Sequence, residues 1–452
     1  MRKTISIFQQ NRLAAFLVLF IALMYSCRKE DKVLLPASRD PQLFGVKAEK
    51  ESSAVATDWY RLQTRIMLER NSAFNGTYFS YIGIGLYEAI RPGIKGAASF
   101  SSKLNKMPAM PQPQNNQGYS WQVSANAALA AMVRSFFTGL TPANMASIDS
   151  LEAVYNEKSN PAMQSEVFRR SQAFGRSIAT AMHNWFLTDD LNPTNIGYVL
   201  PPSFPGSWQP TPPAFGPIPI NPFVQNATPL LIEDVTALCE PFPLEYSETP
   251  GSAFYNMQKQ VYDQSFANTP AQKAIALHWV DQGSGVGYTP AGHDFLVITQ
   301  AFEQLGLNLA IVAEAYAKAG IAQRETTIVT FRSKYANFIL RPVTYIQKVI
   351  DPNWLPLFPT PPHPEYPAAH AMVTGTVMQA TARVIGNNHT VADHSYVFRG
   401  YPVQTYSSIF GAAEQAGISR NYGGIHYLIS ITEGLRMAKI LGNRVGDIQL
   451  HE

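Results

Sequence analysis

The sequence predicts a mainly α-helical protein with a large buried core. Of its 452 residues, 46% are hydrophobic and 15% are charged, which argues against disorder. No alternating pattern is long enough to require a large sheet, whereas apolar residues recur at helical spacing in two series of segments. The predicted helices cover residues 59–69, 79–90, 123–137, 145–155 and 166–186, and then 253–280, 296–319, 324–340, 371–385 and 425–445.

The first residues resemble an export signal. Basic residues precede an apolar stretch at 13–25, which is shorter than the roughly 20 residues needed to span a bilayer. Residues 23–27, Leu-Met-Tyr-Ser-Cys, resemble a bacterial lipobox, so we predict a signal peptide at 1–26 and lipidation of Cys27. The protein is then an exported bacterial membrane lipoprotein that faces the periplasm or the cell surface. A plain cleaved signal peptide is the alternative.

A proline-dense segment divides the two series of predicted helices. Because proline lacks a backbone donor and disfavours helix and central strand, residues 201–222 should form an extended connection. We therefore predict an N-terminal helical region at 56–245, including this connection, and a C-terminal helical bundle at 246–452. Residues 27–55 are polar and lack sustained periodicity, which predicts a lipidated N-terminus followed by a flexible tether.

The charge distribution makes one class of partner improbable. The formal net charge is only +3 and no long run of Lys or Arg occurs, so nucleic acid is a poor candidate partner. Any specificity for anions must therefore come from a local cluster of residues. The composition is compatible with a monomer or an oligomer.

Three separated segments place basic or imidazole groups where an oxyanion could bind. In the first, Lys334 and Arg341 are seven residues apart, so on one helix they would project from the same face. Pro342 predicts that this helix ends at Arg341. A solvated pair of surface cations is the alternative interpretation of these two residues.

In the second segment, His370 directly precedes an apolar helix expected from Ala371. Free backbone N–H groups and the macrodipole favour anions at a helix N-terminus. An imidazole at that position suits proton exchange with a bound oxyanion, although a purely structural histidine is the alternative.

The third segment combines a cation, a flexible backbone and a second histidine. Arg420 offers a planar fork of donors, and the glycine pair at 423–424 lets the backbone approach a ligand closely. His426 should lie at the start of the next helix. Ser430 and Glu433 follow on the same face, and either could hydrogen-bond the second ring nitrogen of His426.

Together the three segments resemble a known signature. The vanadium haloperoxidases and the related type 2 phosphatidic acid phosphatases share Lys, six residues, Arg-Pro; then Pro-Ser-Gly-His; then Ser-Arg, five residues, His. The first and third motifs match in full. The second keeps Pro367 and His370 but has Ala368 and Ala369 where the family has Ser and Gly. A serine at position 368 would add a hydrogen bond worth about 1.5–3 kcal/mol to a charged oxyanion.

The resemblance extends beyond these motifs to most of the chain from about residue 56. The segments 208–213 and 289–293, with the long helical N-terminal half, resemble the bacterial haloperoxidase-like branch. The implied fold is mainly α, with helical bundles of the vanadium chloroperoxidase and acid phosphatase type. Small phosphatases of this superfamily usually lack such an N-terminal half.

The resemblance implies vanadate as the cofactor and assigns a role to each matched residue. A multiply charged oxyanion in a partly dry pocket needs several fixed cations or donors. His426 would supply the axial nitrogen on vanadium, and His370, Lys334 and His363 would act in catalysis. The oxyanion-binding residues would be Lys334, Arg341, Ala369 and Arg420.

The implied reaction is the oxidation of halide by hydrogen peroxide to hypohalous acid, with an organic acceptor as a further partner. His363 resembles the residue beside the peroxide in algal bromoperoxidases, which favours bromide or iodide over chloride. A surface histidine in the proline-rich approach at 359–367 is the alternative. One alternative is a phosphomonoesterase or lipid phosphatase with His426 as nucleophile, acting on a phosphoester. Ser430 argues against it, because the phosphatases have Asp there. The other alternative is a non-catalytic oxyanion-binding lipoprotein.

Overall fold

The computed structural model describes residues 47–70, 76–159, 165–231, 240–281 and 287–451. The predicted signal peptide, the lipidated Cys27 and the tether up to residue 46 lie outside the described residues. All described residues belong to one compact unit, to which both predicted helical regions contribute. Within this part of the chain, no helix combines the length and the apolar character needed to cross a membrane.

Helices dominate the described residues, which confirms the mainly α prediction. The N-terminal helices are α1 (Ala54–Arg70), α2 (Gly76–Ile90), α3 (Trp121–Phe136), α4 (Pro142–Ser159) and α5 (Glu166–Phe186). The next are α6 (Ala253–Ala267), α7 (Pro270–His278), α8 (Pro290–Gln304), α9 (Leu309–Asn337), α10 (Pro342–Val349) and α11 (Ala369–Ile385). The strands β1 (Val391–Asp393) and β2 (Gln404–Tyr406) pair antiparallel, and α12 (Ile409–Tyr422) and α13 (Leu428–Gly446) follow.

The core is organised around α9, a long helix that is buried along most of its length. This helix packs against α2 on one side and α11 on another, and α11 packs in turn against α12 and α13. Helices from both halves of the chain therefore share one core. The C-terminal end of α9, the start of α11 and the junction between α12 and α13 meet at one place.

The folded body begins earlier in the chain than residue 56. Ala48 and Val55 are fully buried, and Ser52 forms a bridge with Asn308 just before α9. The predicted tether therefore ends before Ala48 rather than at residue 55. A few small apolar residues are enough to attach this segment to the core, which a test for sustained periodicity does not detect.

Two predicted helices are each divided by a local stop signal. Residues 253–280 form two helices, because Thr269 caps α7 in a reciprocal capping box with Gln272 and Pro270 takes the first helical position. Residues 296–319 cover the end of α8 and the start of α9. The chain turns between them at Gly306, whose φ of 60° suits glycine.

Helix α9 ends at Asn337, so Lys334 and Arg341 do not share one helical face as predicted. Phe338 adopts a left-handed conformation with φ of 50°. The proline-rich connection then pairs with the chain: Trp208 N–H donates to the Phe338 carbonyl over 2.7 Å. Arg341 is extended, as a residue before proline prefers. A tertiary contact therefore ends the helix one turn before the local proline signal.

Candidate oxyanion site

A cavity of about 530 Å³ lies where α9, α11 and the α12–α13 junction meet. Five predicted site residues line it together with Asp281: His363, Ala369, His370, Arg420 and His426. Lys334 and Arg341 are fully buried beside these residues and do not line the cavity themselves. The three sequence segments therefore converge on one place.

His426 is held by a carboxylate that the sequence did not assign. Its Nδ1 lies 2.7 Å from Glu365 Oε1, which also accepts the Tyr427 backbone N–H over 3.0 Å. Ser430 donates to the other oxygen of Glu365 over 2.6 Å, and Glu433 instead pairs with Arg436. The predicted contact of Ser430 or Glu433 with the ring is therefore replaced by Glu365. The sequence signal that could have indicated this role of Glu365 is that it is an ionisable residue inside an otherwise apolar motif.

The protonation of His426 follows from these neighbours. Burial and the charges of Arg341 and Lys334 hold the pKa of His426 well below its usual value, so the ring is neutral. Burial raises the pKa of Glu365 to about 7, although the same two cations oppose the change. Because Nδ1 donates to Glu365, the lone pair lies on Nε2, where Arg341 Nη1 donates over 3.1 Å.

Arg341 and Lys334 hold the loops that carry the histidines. Arg341 donates to the His363 carbonyl over 2.8 Å, to the Ile425 carbonyl over 3.0 Å and to His363 Nδ1 over 3.1 Å. The ammonium of Lys334 donates to the carbonyls of Pro364, Glu365 and Pro367 at 2.9, 2.8 and 2.6 Å. These contacts place two positive charges directly behind the cavity.

Arg420 brings a third positive charge to the cavity itself. Its guanidinium lies over the ring of Phe358 at 4.9 Å and donates through Nη1 to the Trp279 carbonyl. Burial lowers the pKa of Arg420 to about 9, and Asp281 opposes that change. Its Nε has no hydrogen-bond partner among the described residues. A buried donor without a partner is costly, which indicates a place for an external acceptor.

His370 is a second buried group without a hydrogen-bond partner at one nitrogen. Its Nε2 lies 3.6 Å from Asp281 Oδ2, beyond hydrogen-bond distance. Burial and the charge of Arg420 lower the pKa of His370 to about 4, so the ring is neutral near pH 7. This neutral imidazole can accept a proton from a molecule in the cavity.

The N-terminus of α11 adds backbone donors, as predicted for His370. The N-cap residue is Ala368, which has no side-chain acceptor for the first-turn N–H groups. Its methyl group packs with Ala371 and Ile431, whereas the next residue, Ala369, lines the cavity. With three cations nearby, these uncapped donors fit a multiply charged oxyanion such as vanadate.

The glycine pair has a packing role instead of the predicted approach to a ligand. A Cβ added to Gly423 would lie 2.3 Å from the ring of Phe358. Gly424 has φ of 78° and lies against Trp354, where a Cβ would come within 3.1 Å of the ring. The pair therefore lets two aromatic rings approach the turn that positions His426.

A second polar cluster behind His370 was not predicted. Asp281 Oδ1 accepts from His293 Nδ1 over 2.9 Å and from the Tyr396 hydroxyl over 2.7 Å. Burial opposes the charged imidazole, but Asp281 and Asp393 raise the pKa of His293 to about 10. His293 belongs to the segment 289–293 that resembled the bacterial branch, which is the one signal that could have pointed to it.

Comparisons with known proteins give a family match for part of the chain and structures of the same fold. Residues 314–450 match the family of the VCPO second helical-bundle domain. The structure is similar to that of a bacterial vanadium-dependent iodoperoxidase, with 28% sequence identity, a TM-score of 0.78 and coverage of 89% of this chain and 98% of that chain. No curated protein matches the chain.

Two structures of bacterial vanadium-dependent chloroperoxidase show the same fold at lower identity. The apo-type structure has 15% identity, a TM-score of 0.62 and coverage of 84% of this chain and 93% of that chain. The holo-type structure has 14% identity, a TM-score of 0.60 and coverage of 90% and 94%. Residues 314–450 thus match the VCPO second helical-bundle domain, and the chain has the fold of the vanadium haloperoxidases.

Proposed function

We propose that this protein is a vanadate-dependent haloperoxidase, an oxidoreductase that uses hydrogen peroxide to oxidise bromide or iodide to hypohalous acid. One observation carries the proposal: Arg420, His370 and His426 line a single cavity, with two further buried cations behind it. The similarity to an iodoperoxidase over most of the chain supports it and favours iodide as the halide.

Vanadate, when bound, supplies a Lewis-acidic centre that activates peroxide toward halide, and vanadium keeps the same oxidation state throughout. His426 Nε2 carries the lone pair that would bind vanadium. Arg341 Nη1, which donates to that nitrogen, would donate to an oxyanion oxygen instead. Arg420 Nε and the first-turn N–H groups of α11 would hold further oxygens.

His370 is the acid–base group in this proposal. The neutral ring of His370 would take a proton from hydrogen peroxide in the cavity, and the carboxylate of Asp281, 3.6 Å from Nε2, would stabilise the imidazolium that forms. Arg420 opposes that charge, which keeps the imidazole ready to return the proton. His363 also lines the cavity, and its polar ring supports the preference for bromide or iodide over chloride.

A phosphomonoesterase is the second candidate, and Glu365 is the observation that favours it. A nucleophilic histidine needs a carboxylate on its other nitrogen, and Ser430 had argued against such a partner. Glu365 supplies that carboxylate from another segment of the chain. In this alternative, His426 attacks phosphorus and His370 protonates the leaving group.

An assay on the purified chain separates the candidates. We expect iodide and bromide oxidation to depend on added orthovanadate, with no oxidation of chloride and no hydrolysis of p-nitrophenyl phosphate. Phosphatase activity that vanadate inhibits would support the second candidate. Vanadate binding without either activity would indicate the non-catalytic lipoprotein.

We also propose that Cys27 anchors the protein to a bacterial membrane. The lipobox-like residues 23–27 support this proposal. Cys27 also precedes Ala48, a buried residue near the start of the folded body, by about 20 residues. Cys27→Ser should therefore release the protein from the membrane fraction without changing the activity of the folded body. Continued membrane attachment of the variant would point to an uncleaved apolar segment instead.

A further inference from the structure

We propose that a divalent transition-metal ion, best matched by zinc, binds behind the oxyanion cavity between His278, His293 and Asp393. The hydroxyl of Tyr406 lies beside them, 2.9 Å from Asp393 Oδ2, and in this proposal it takes the fourth coordination position. This second site is separate from the vanadate cavity and does not depend on the haloperoxidase proposal. We refer to these four residues as the inner metal site.

The ligand atoms of the inner metal site converge on one point. His278 Nε2 and His293 Nε2 lie 2.8 and 3.2 Å from Asp393 Oδ2, and the ligand atoms of the three residues all lie within 4.8 Å of one another. The Tyr406 hydroxyl lies 2.9 Å from the same carboxylate oxygen and 3.4 Å from His278 Nε2. Ligands about 2.0–2.1 Å from zinc in a tetrahedron are about 3.3 Å apart, and each of the four separations of 2.8, 2.9, 3.2 and 3.4 Å lies within about 0.5 Å of that value.

Four separate elements bring these ligands together. His278 ends α7, His293 lies in the first turn of α8, and Asp393 and Tyr406 end the two paired strands. All four residues are buried, with exposures of 1%, 0%, 1% and 3% in that order. Four protein ligands would leave no coordination position for a substrate, as in structural zinc sites, although those sites mostly use Cys and His as ligands.

The surroundings supply the second layer of contacts that metal sites need. A histidine ligand usually donates its other ring N–H to a carboxylate, and His293 Nδ1 lies 2.9 Å from Asp281 Oδ1. The other carboxylate oxygen of Asp393, Oδ1, accepts from the Ser395 backbone N–H over 2.8 Å and from the Gln300 side chain over 3.1 Å. These contacts fix the orientations of the His293 ring and the Asp393 carboxylate, so that His293 Nε2 and Asp393 Oδ2 point toward each other.

Hydrogen bonding alone accounts less well for this arrangement. Without an ion, two imidazole N–H groups and a phenol hydroxyl must all donate to the single oxygen Oδ2 of Asp393. If His278 donates through Nε2, its Nδ1 is a buried acceptor with no hydrogen-bond partner among the described residues. A bound ion would instead accept lone pairs from both rings and from the carboxylate. Nδ1 of His278 would then carry the proton, so this atom has no hydrogen-bond partner among the described residues in either state and does not distinguish the two.

The inner metal site also has a mechanical connection to the cavity. Asp281 contacts His293 through Oδ1 and faces His370 Nε2 at 3.6 Å through Oδ2. An ion that fixes His293 would therefore fix Asp281 beside His370. Its loss would loosen the cavity wall without removing any oxyanion ligand.

Metal analysis of the purified full chain tests this proposal. After zinc saturation and desalting, we expect one equivalent of zinc in the wild type and in His394→Ala, an exposed histidine next to Asp393. His278→Ala and Asp393→Asn should retain less than a tenth of that amount. Asp281→Asn should bind zinc about 10–100-fold more weakly, because the second-layer partner of His293 loses its charge.

A spectroscopic measurement on the wild type avoids variants that fail to fold. Replacing zinc by cobalt after chelation should give the intense visible absorption of a tetrahedral cobalt site, and orthovanadate should not displace that metal. A zinc-saturated wild type with less than a tenth of an equivalent, or ligand variants that keep their zinc, would overturn the proposal. Vanadate binding is measured separately from zinc content. Failure of the inner metal site is therefore distinguishable from failure of the proposed function.

Discussion

Two buried polar clusters meet at the cavity, and they place similar histidines among opposite charges. In the oxyanion cluster, His426 lies among Lys334, Arg341 and Arg420, which with burial hold its pKa well below the usual value. In the inner metal site, two carboxylates raise the pKa of His293 to about 10 although burial opposes them. Burial acts in the same direction on both rings, so the neighbouring charges decide the outcome.

The difference between the clusters has a consequence for chemistry. A neutral imidazole with cations behind it can bind an oxyanion centre through nitrogen. The carboxylates around His293 instead favour a positive charge there, either a proton on the ring or a metal ion that replaces it. His370 lies between the two clusters, within reach of Arg420 on one side and Asp281 on the other. The boundary between the two electrostatic environments is therefore the place where a proton can be exchanged.

Removing a charge from the oxyanion cluster should have the largest effect. Arg420→Ala should weaken orthovanadate binding by about 2–5 kcal/mol, since a buried charged donor is lost. His426→Ala should abolish binding, because no other protein atom would bond to vanadium. Isothermal titration calorimetry measures both. The matched controls are Arg169→Ala, an exposed arginine that pairs with Glu166, and His394→Ala. Near-normal affinity in either test variant would show that the oxyanion binds elsewhere.

Glu365→Gln tests whether the carboxylate of Glu365, inside the cationic cluster, orients the ring of His426. The amide keeps the shape of the side chain but loses the charge that holds His426 Nδ1, so vanadate affinity should fall about 10–100-fold. Glu325→Gln is the matched control, because Glu325 is also fully buried and contacts the Leu230 backbone instead of a histidine. Unchanged vanadate affinity in Glu365→Gln would mean that Arg341 alone orients the ring.

The same two variants give a pH prediction for the vanadate-free protein. Burial raises the pKa of Glu365 from 4.5 to about 7, so the folded state binds a proton that the unfolded state releases between these values. The free energy of unfolding of the wild type should therefore lose about 3 kcal/mol from this residue as the pH rises from 4.5 to 7.

Glu365→Gln lacks this proton, so its stability relative to the wild type should rise over the same window. Burial also raises the pKa of Glu325 to about 7, so the stability of Glu325→Gln relative to the wild type should rise over the same pH window. Urea unfolding at several pH values measures the difference. A difference between variant and wild type that stays constant from pH 4.5 to 7 would contradict the prediction.

The smallest effect is expected from Ala368→Ser. The family resemblance suggested that a serine here would add a hydrogen bond to the oxyanion, but the Ala368 methyl packs with Ala371 and Ile431 away from the cavity. We therefore expect a change in vanadate affinity of less than about 1 kcal/mol. A gain of about 1.5–3 kcal/mol, the value of a hydrogen bond to a charged group, would show that the hydroxyl does reach the oxyanion.

Local sequence patterns predicted the helical character of the chain and five of the residues that line the cavity. Helical spacing of apolar residues identified most of the helices, since this pattern depends on neighbours within a few residues. The three motifs identified Arg420, His370 and His426 because their spacing and flanking prolines are local features. The resemblance predicted the fold, which the similar structures confirm, and it implied vanadate as the cofactor.

Only the tertiary structure decided which groups contact one another. Glu365 and His426 are 61 residues apart, and His293 and Asp393 are 100 residues apart, so no local pattern relates them. The end of α9 at Asn337 depends on a contact with the proline-rich connection, far away in sequence. A buried polar group needs a partner, and this requirement is predictable from its residue type. Which partner it finds is set by the packing of distant helices.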